Sequence, residues 1–206
     1  MWSGDSVMKI SKIHVVWCLL ILIVSLTGCS GLTRSDQPAT KTWWLEPYAG
    51  MAHEVSPGAP KLVEISVTVV PGLDTDRILT LSDDAQLNDF AAARWADNLP
   101  ELLESLVGRS MESSGRFEIV SIRAGGGPEN CDLQLEIREF FAHLSPSGQA
   151  NGVRVAADGR YQCGSNEPLA LHLSASIPVY DDRMSVIVAA FQQALDSVMK
   201  DLLGQL

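Results

Sequence analysis

Residues 131–163 read CDLQLEIREFFAHLSPSGQANGVRVAADGRYQC. Two long strand-like runs flank Ser145-Pro146-Ser147-Gly148-Gln149, a cluster of turn-forming residues. Centring an antiparallel hairpin on Ser147 sets Leu133 opposite Tyr161, Ile137 opposite Ala157 and Phe141 opposite Val153. The same register sets Cys131 opposite Cys163. Directly opposed residues have Cα atoms about 4.5–5.5 Å apart, within disulfide range. The two cysteines are therefore expected to close the open end of the hairpin. For 31 residues between them, the chain-entropy account gives about 3–4 kcal/mol. A bulge would shift this register by one; Glu139, which falls on the apolar face, is a place for one.

Upstream, Leu62–Val70 alternates: Val63, Ile65, Val67 and Val69 share one face, and Glu64, Ser66 and Thr68 the other. That is a half-buried strand stopped by Pro71-Gly72. Trp43 to Tyr48 reads as a short edge strand stopped by Pro47, and residues 51–60 as loop. Arg77–Leu81 is another strand candidate. Gln86–Trp95 is ambiguous, because the run Ala91-Ala92-Ala93 favours helix by propensity. Asn98 is placed to cap a helix carrying Leu99, Leu102, Leu103, Leu106 and Val107 at helical spacing, with Gly115 at its end. Phe117–Ile122 is a strand candidate.

Downstream, Leu169, Leu171, Leu173, Ala175 and Ile177 form one face of a last strand, closed by Pro178. Asp181 or Asp182 is expected to cap a final helix. Its core stripe is Val188, Phe191, Leu195, Val198 and Leu202, and Gly204 is expected to end it. Interleaved strands and helices give the α/β or α+β class, one sheet with helices packed on it.

The N-terminus carries a different message. Lys9 and Lys12 precede an uncharged block, Val15–Val24. A block of that length suits a secretory signal; a spanning helix needs about 20 apolar residues. It ends in Leu26-Thr27-Gly28-Cys29, which resembles the lipobox of bacterial lipoproteins. The resemblance implies cleavage after Gly28, a diacylglyceryl group on the Cys29 sulfur and an acylated amine. Several acyl chains hold a bilayer firmly where one does so only marginally. Ser30 follows, where Asp often retains such proteins in the inner membrane, so the outer membrane is favoured. Residues 30–42, SGLTRSDQPATKT, are small and polar, a tether of at most about 47 Å. The expected division is a signal peptide at 1–28, a lipidated tether at 29–42 and a folded domain at 43–206.

Removing residues 1–28 leaves 178 residues, enough for one domain with a core. Lys9, Lys12 and Asp5 leave with the signal, which takes the formal charge from −10 to −11. An acidic surface disfavours nucleic acid and anionic lipid. Export suits a disulfide between Cys131 and Cys163.

No catalytic pattern stands out. His53, His143 and His172 lack ligand spacing for zinc, and there is no Gly-x-Ser-x-Gly. Gly125-Gly126-Gly127-Pro128 is not followed by the Lys-Ser/Thr of a phosphate loop. Asp83-Asp84 and Asp181-Asp182 sit where turns and caps want Asp. The expectation is a non-enzyme without metal or cofactor, its one covalent group being lipid on Cys29. Trp43, Trp44 and Trp95 are candidates either for packing or for contact with a partner or lipid.

The chain resembles the ABC-type transport auxiliary lipoproteins, the family that includes paraquat-inducible protein C. The lipobox and tether lead to Trp43-Trp44-Leu45. A strand closes in Pro-Gly-Leu-Asp and then Arg-Ile-Leu-Thr, residues 71–80. Arg94-Trp95-Ala96-Asp97 precedes the Leu-rich helix, and the last helix carries Ala190-Phe191 and Ala194-Leu195. The family often has Glu-Pro after Trp-Ala, whereas this chain has Asp97-Asn98-Leu99-Pro100, and its cysteine pair is not general.

The resemblance implies a hairpin over 77–95 and a mixed sheet like that of anticodon-binding domains. It also implies an accessory role beside an ATPase, a permease and a mammalian-cell-entry-domain protein that move lipids between two membranes. The implied location is the periplasmic face of the outer membrane, and a homo-oligomeric ring is among the implied assemblies. A structural or regulatory lipoprotein, such as an activator of a cell-wall synthase, is the alternative; the short tether disfavours it.

Overall fold

The structure, a computed structural model, describes residues 39–50, 59–120 and 130–206. The signal, the lipobox with Cys29, most of the tether, His53 and the glycine loop at 125–128 lie outside the described residues. Among the described residues eight strands form one mixed sheet: Lys41–Trp43 (β1), Lys61–Val69 (β2), Arg77–Ser82 (β3), Leu87–Trp95 (β4), Phe117–Ile119 (β5), Cys131–Leu144 (β6), Ala150–Cys163 (β7) and Leu169–Pro178 (β8). The two helices of the described residues pack on it, Leu99–Ser113 (α1) and Met184–Gln205 (α2). The fold is α+β.

The β6–β7 hairpin is the spine. Cys131 pairs with Cys163, Leu133 with Tyr161 and Ile137 with Ala157. The register then shifts between Ile137 and Glu139, so that Glu139 pairs with Ala156, Phe140 with Val155 and Ala142 with Val153. Phe141 therefore faces Arg154, not Val153. The cause is Glu139: without a bulge its carboxylate would enter the core. The extra residue turns it to the outer face, where it pairs with Arg154, and brings Phe140 inward in place of Phe141. A second shift between His143 and Leu144 restores the register before the turn. There Gly148 takes φ +81°, a conformation glycine adopts freely.

Opposite β7, the other side of β6 is shared. Residues 131–137 pair with β2 and residues 142–144 with β3, both parallel. The chain leaves β6 at Pro71-Gly72, makes a short excursion, and rejoins the same strand beyond the bulge. β5 extends the β2 side; β4 and then β1 extend the β3 side. The 87–95 segment is thus a strand, despite its alanines. Cross-strand bonds to β3 and β1 override local propensity.

Alternation splits the sheet into a helix-covered face and an open one. Val63, Ile65, Val67, Leu133, Leu135, Ile137, Val153, Val155, Leu171 and Leu173 are buried. The helices meet them with Leu99, Leu102, Leu103, Leu106 and Val107 from α1, and with Val188, Phe191, Leu195, Val198 and Leu202 from α2. Asp132, Gln134, Glu136 and Arg138 alternate to the open face.

Local details differ from the sequence expectations. Asn98 occupies the N-cap of α1 but its side chain caps nothing; the Leu99 N–H donates to the Thr75 carbonyl instead. The N-cap of α2 is Arg183. Asp181 accepts the Arg183 N–H, while Asp182 accepts from the Ala150 N–H and ties the helix start to the hairpin. Gly204 lies inside α2, which runs to Gln205. Lys41 and Thr42, assigned to the tether, join the sheet through β4. The described part of the strand after Gly115 is short, Phe117–Ile119.

Candidate functional site

The chain enters the domain through a strap fastened to both helices. β1 pairs with the end of β4, setting Trp43 beside Trp95. Leu45 is fully buried, a plug that holds the strap down. Glu46 exchanges two hydrogen bonds with one side chain of α2: its N–H donates to Gln192 Oε1 (2.8 Å), and Gln192 Nε2 donates to its carbonyl (3.0 Å). Tyr48 is bound to α1 in the same way. Its N–H donates to Ser110 Oγ (2.9 Å), and Ser113 Oγ donates to its carbonyl (3.0 Å). Four backbone groups of an irregular segment are satisfied by helix side chains, as a segment lying on a packed surface requires.

The three tryptophans part company here. Trp95 is 2% exposed. Its ring stands edge-on to Phe140 (5.8 Å) and Phe191 (5.2 Å), which makes it the aromatic centre of the core. It cannot serve as a partner contact; its neighbours supply the apolar surroundings a partner would have supplied. Trp43 is partly buried against the core. Trp44 is 53% exposed, and the Arg109 guanidinium of α1 lies 5.7 Å from its ring centroid. That cation–π contact holds a large apolar surface in the open.

Arg109 also borders a cleft of about 790 Å³ between α1 and the β2–β5 side of the sheet. Ile65, Val67, Gly108 and Ile119 line it together with Glu64, Glu101, Glu104 and Glu112. Glu104 accepts the Val67 N–H (3.3 Å), covering the edge of β2 beyond the end of β5. The arrangement is an apolar floor under four carboxylates, with an indole on a cation at its rim. It suits recognition of a basic, partly apolar surface.

The open sheet face carries a second network. Asp158 takes the His172 ring nitrogen (2.8 Å) and Arg138 Nε (2.8 Å). The His172 bond, then Arg138, hold its carboxyl below the usual carboxylate range. His172 is therefore partnered, not merely solvated. His143 stacks edge-on against Phe141. Cys131 and Cys163 are joined as a disulfide. Among the described residues no three His, Cys, Asp or Glu side chains gather as a metal would require, and no helix is long and apolar enough to cross a membrane.

Arg109, Glu104, Ser110 and Gln192 were not singled out in the sequence. Arg109, Glu104 and Gln192 sit among the polar residues any helix carries, and Ser110 is a small residue buried in an apolar stripe. Their partners lie 37 to 146 residues away, so no local pattern could mark them.

No match was found among the curated proteins. The fold matches a crystal structure of an uncharacterised protein with a TM-score of 0.61 at 13% identity, over 82% of this chain and 99% of that one. It also matches the crystal structure of protein XCC0632 from Xanthomonas campestris, with a TM-score of 0.62 at 19% identity, over 80% of this chain and 94% of that one. The family model described as ABC-type transport auxiliary lipoprotein component matches residues 46–202, from the strap to the last turn of α2. The chain belongs to that family.

Proposed function

We propose that this protein is a non-enzymatic accessory of an intermembrane lipid transporter, anchored to the outer membrane through lipid on Cys29. Its folded domain docks the periplasmic end of the transporter on a mammalian-cell-entry-domain protein. The family match over residues 46–202 carries the reading. The anchor and the docking surface are then adjacent in the chain. The tether ends at β1, and the next residue, Trp44, lies exposed beside the acidic cleft of α1. A tethered domain that must meet a partner gains from a contact surface at the root of its tether, because the tether then limits where that surface can go.

The test is a photo-crosslinking amino acid at position 44 in the full-length protein, expressed in its native host. The expected product is a link to a mammalian-cell-entry-domain protein. Clean, repeated capture experiments that yield no such protein would contradict the proposal. The anchor has its own test. Cys29→Ala should remain unacylated and leave the membrane fraction; a variant that stays with the outer membrane is held there by protein contacts.

A further inference from the structure

We infer that the free edge of β8 pairs with β8 of a second copy of this chain, antiparallel about a two-fold axis at Leu173. β7 and β8 pair over ten residues with no shift of register. The Val179 N–H donates to the Asn151 carbonyl (3.1 Å). Odd-numbered residues therefore turn their backbone groups towards β7. Ala170, His172, Ser174 and Ser176 turn theirs outward. Among the described residues no strand pairs with that side.

A long, regular, open edge is a liability that proteins normally blunt with charge, bulges or cover. The other edges of this sheet are treated in those ways. β1 and β5 are three residues each. β2 is covered by Glu104. β4 carries Asp89 and an irregular register. By contrast, residues 168–180 contain no Asp, Glu, Lys or Arg, and neither do residues 184–195 of α2, the helix packed on β8 and β7. The exposed side chains of that helical stretch include Ser185, Ala189 and Gln193, four residues apart. In a chain of net charge −10, this is a surface on which two copies can meet without repulsion.

The prolines select the register. Pro168 and Pro178 have no N–H and lie equally far from Leu173. Centred there, Ala170 opposes Ser176 of the second copy and His172 opposes Ser174, and every outward donor finds an acceptor. The ladder stops at both ends where the prolines face each other. On the helix side Leu169, 40% exposed, opposes Ile177, and Leu171 opposes Ala175. No like charges are opposed. A ten-residue strand is about 33 Å long, and strand plus helix layer stand about 20 Å high. Roughly 660 Å² would be covered on each copy, about 1,300 Å² in all, within the range of stable specific interfaces. Such a pair is isologous and closes at two copies; a ring would need a second, different surface.

The test is the mass of the detergent-solubilised full chain by sedimentation, with bound detergent accounted for. The wild type should show two chains per particle. Ser174→Pro removes one outward N–H and leaves the β7 ladder intact, and Ser174→Lys places two ammonium groups near the axis. Each should halve the mass without changing the circular dichroism. A second arm does not depend on those variants folding: copies carrying His172→Cys are mixed with copies carrying Ser174→Cys and oxidised. A mapped 172–174 disulfide between chains is expected. A one-chain mass for the wild type at micromolar concentration overturns the inference. So does a two-chain mass that survives both substitutions, or the absence of the 172–174 link.

Discussion

Tyr161 is buried on β7 between Leu133 and Leu169, and its hydroxyl has no hydrogen-bond partner. An unpaired buried hydroxyl costs free energy that a phenyl ring avoids, so Tyr161→Phe should raise stability by about 1 kcal/mol in urea titrations at neutral pH. Burial also pushes the phenol up from its ordinary value of 10.0. The unfolded phenol then ionises before the folded one. This contribution is intact below pH 10 and is lost as pH rises towards the raised value. The Phe variant should lack that alkaline decline. Trp44 calls for the opposite pairing of effects. It is exposed, so Trp44→Ala should change stability by no more than about 0.5 kcal/mol. If it is a contact hot spot, capture of the transporter partner should fall about thirtyfold, as loss of about 2 kcal/mol implies. Loss of stability with unchanged capture would return Trp44 to a packing role.

At the scale of elements, the hairpin depends on close approach at Gly159. This residue faces Leu135, and a Cβ there would lie 2.7 Å from Leu135 Cδ2 and closer still to the Gln134 carbonyl oxygen. Gly159→Ala should therefore cost about 1–3 kcal/mol, read as a lower urea midpoint. Removing the disulfide with Cys131→Ala and Cys163→Ala together should cost about 3–4 kcal/mol. A change below about 1 kcal/mol would mean that strand pairing alone closes the hairpin. This hairpin was legible because alternation, turn chemistry and two equidistant cysteines agree. Its bulge was legible too, since Glu139 is a charge on an apolar face. The 87–95 strand was not legible from local propensity, because its alanines favour helix; the family resemblance, which implied a hairpin over 77–95, gave it correctly. The caps also misled: Asp181 and Asp182 have the right chemistry, but a local pairing with Arg183 claims the first and a tertiary bond from Ala150 claims the second.

Across the whole molecule, a two-layer fold divides its labour by face and by edge. The helices bury one face around Trp95, Phe140 and Phe191. The strap delivers the chain from its tether to Trp44 and the acidic cleft. The open face holds the Asp158 network, and among the described residues no strand pairs with the outer edge of β8. The core stripes of both helices could be read from spacing alone. The site could not, because Arg109 meets Trp44 only after α1 has folded back over the strap. Docking on a transporter through the root of the tether is tested most directly by crosslinking from position 44 in the native host. The expected result is a single dominant link, to a mammalian-cell-entry-domain protein, that weakens when Arg109 is replaced by Ala. Links only to cell-wall enzymes, or none at all, would contradict it.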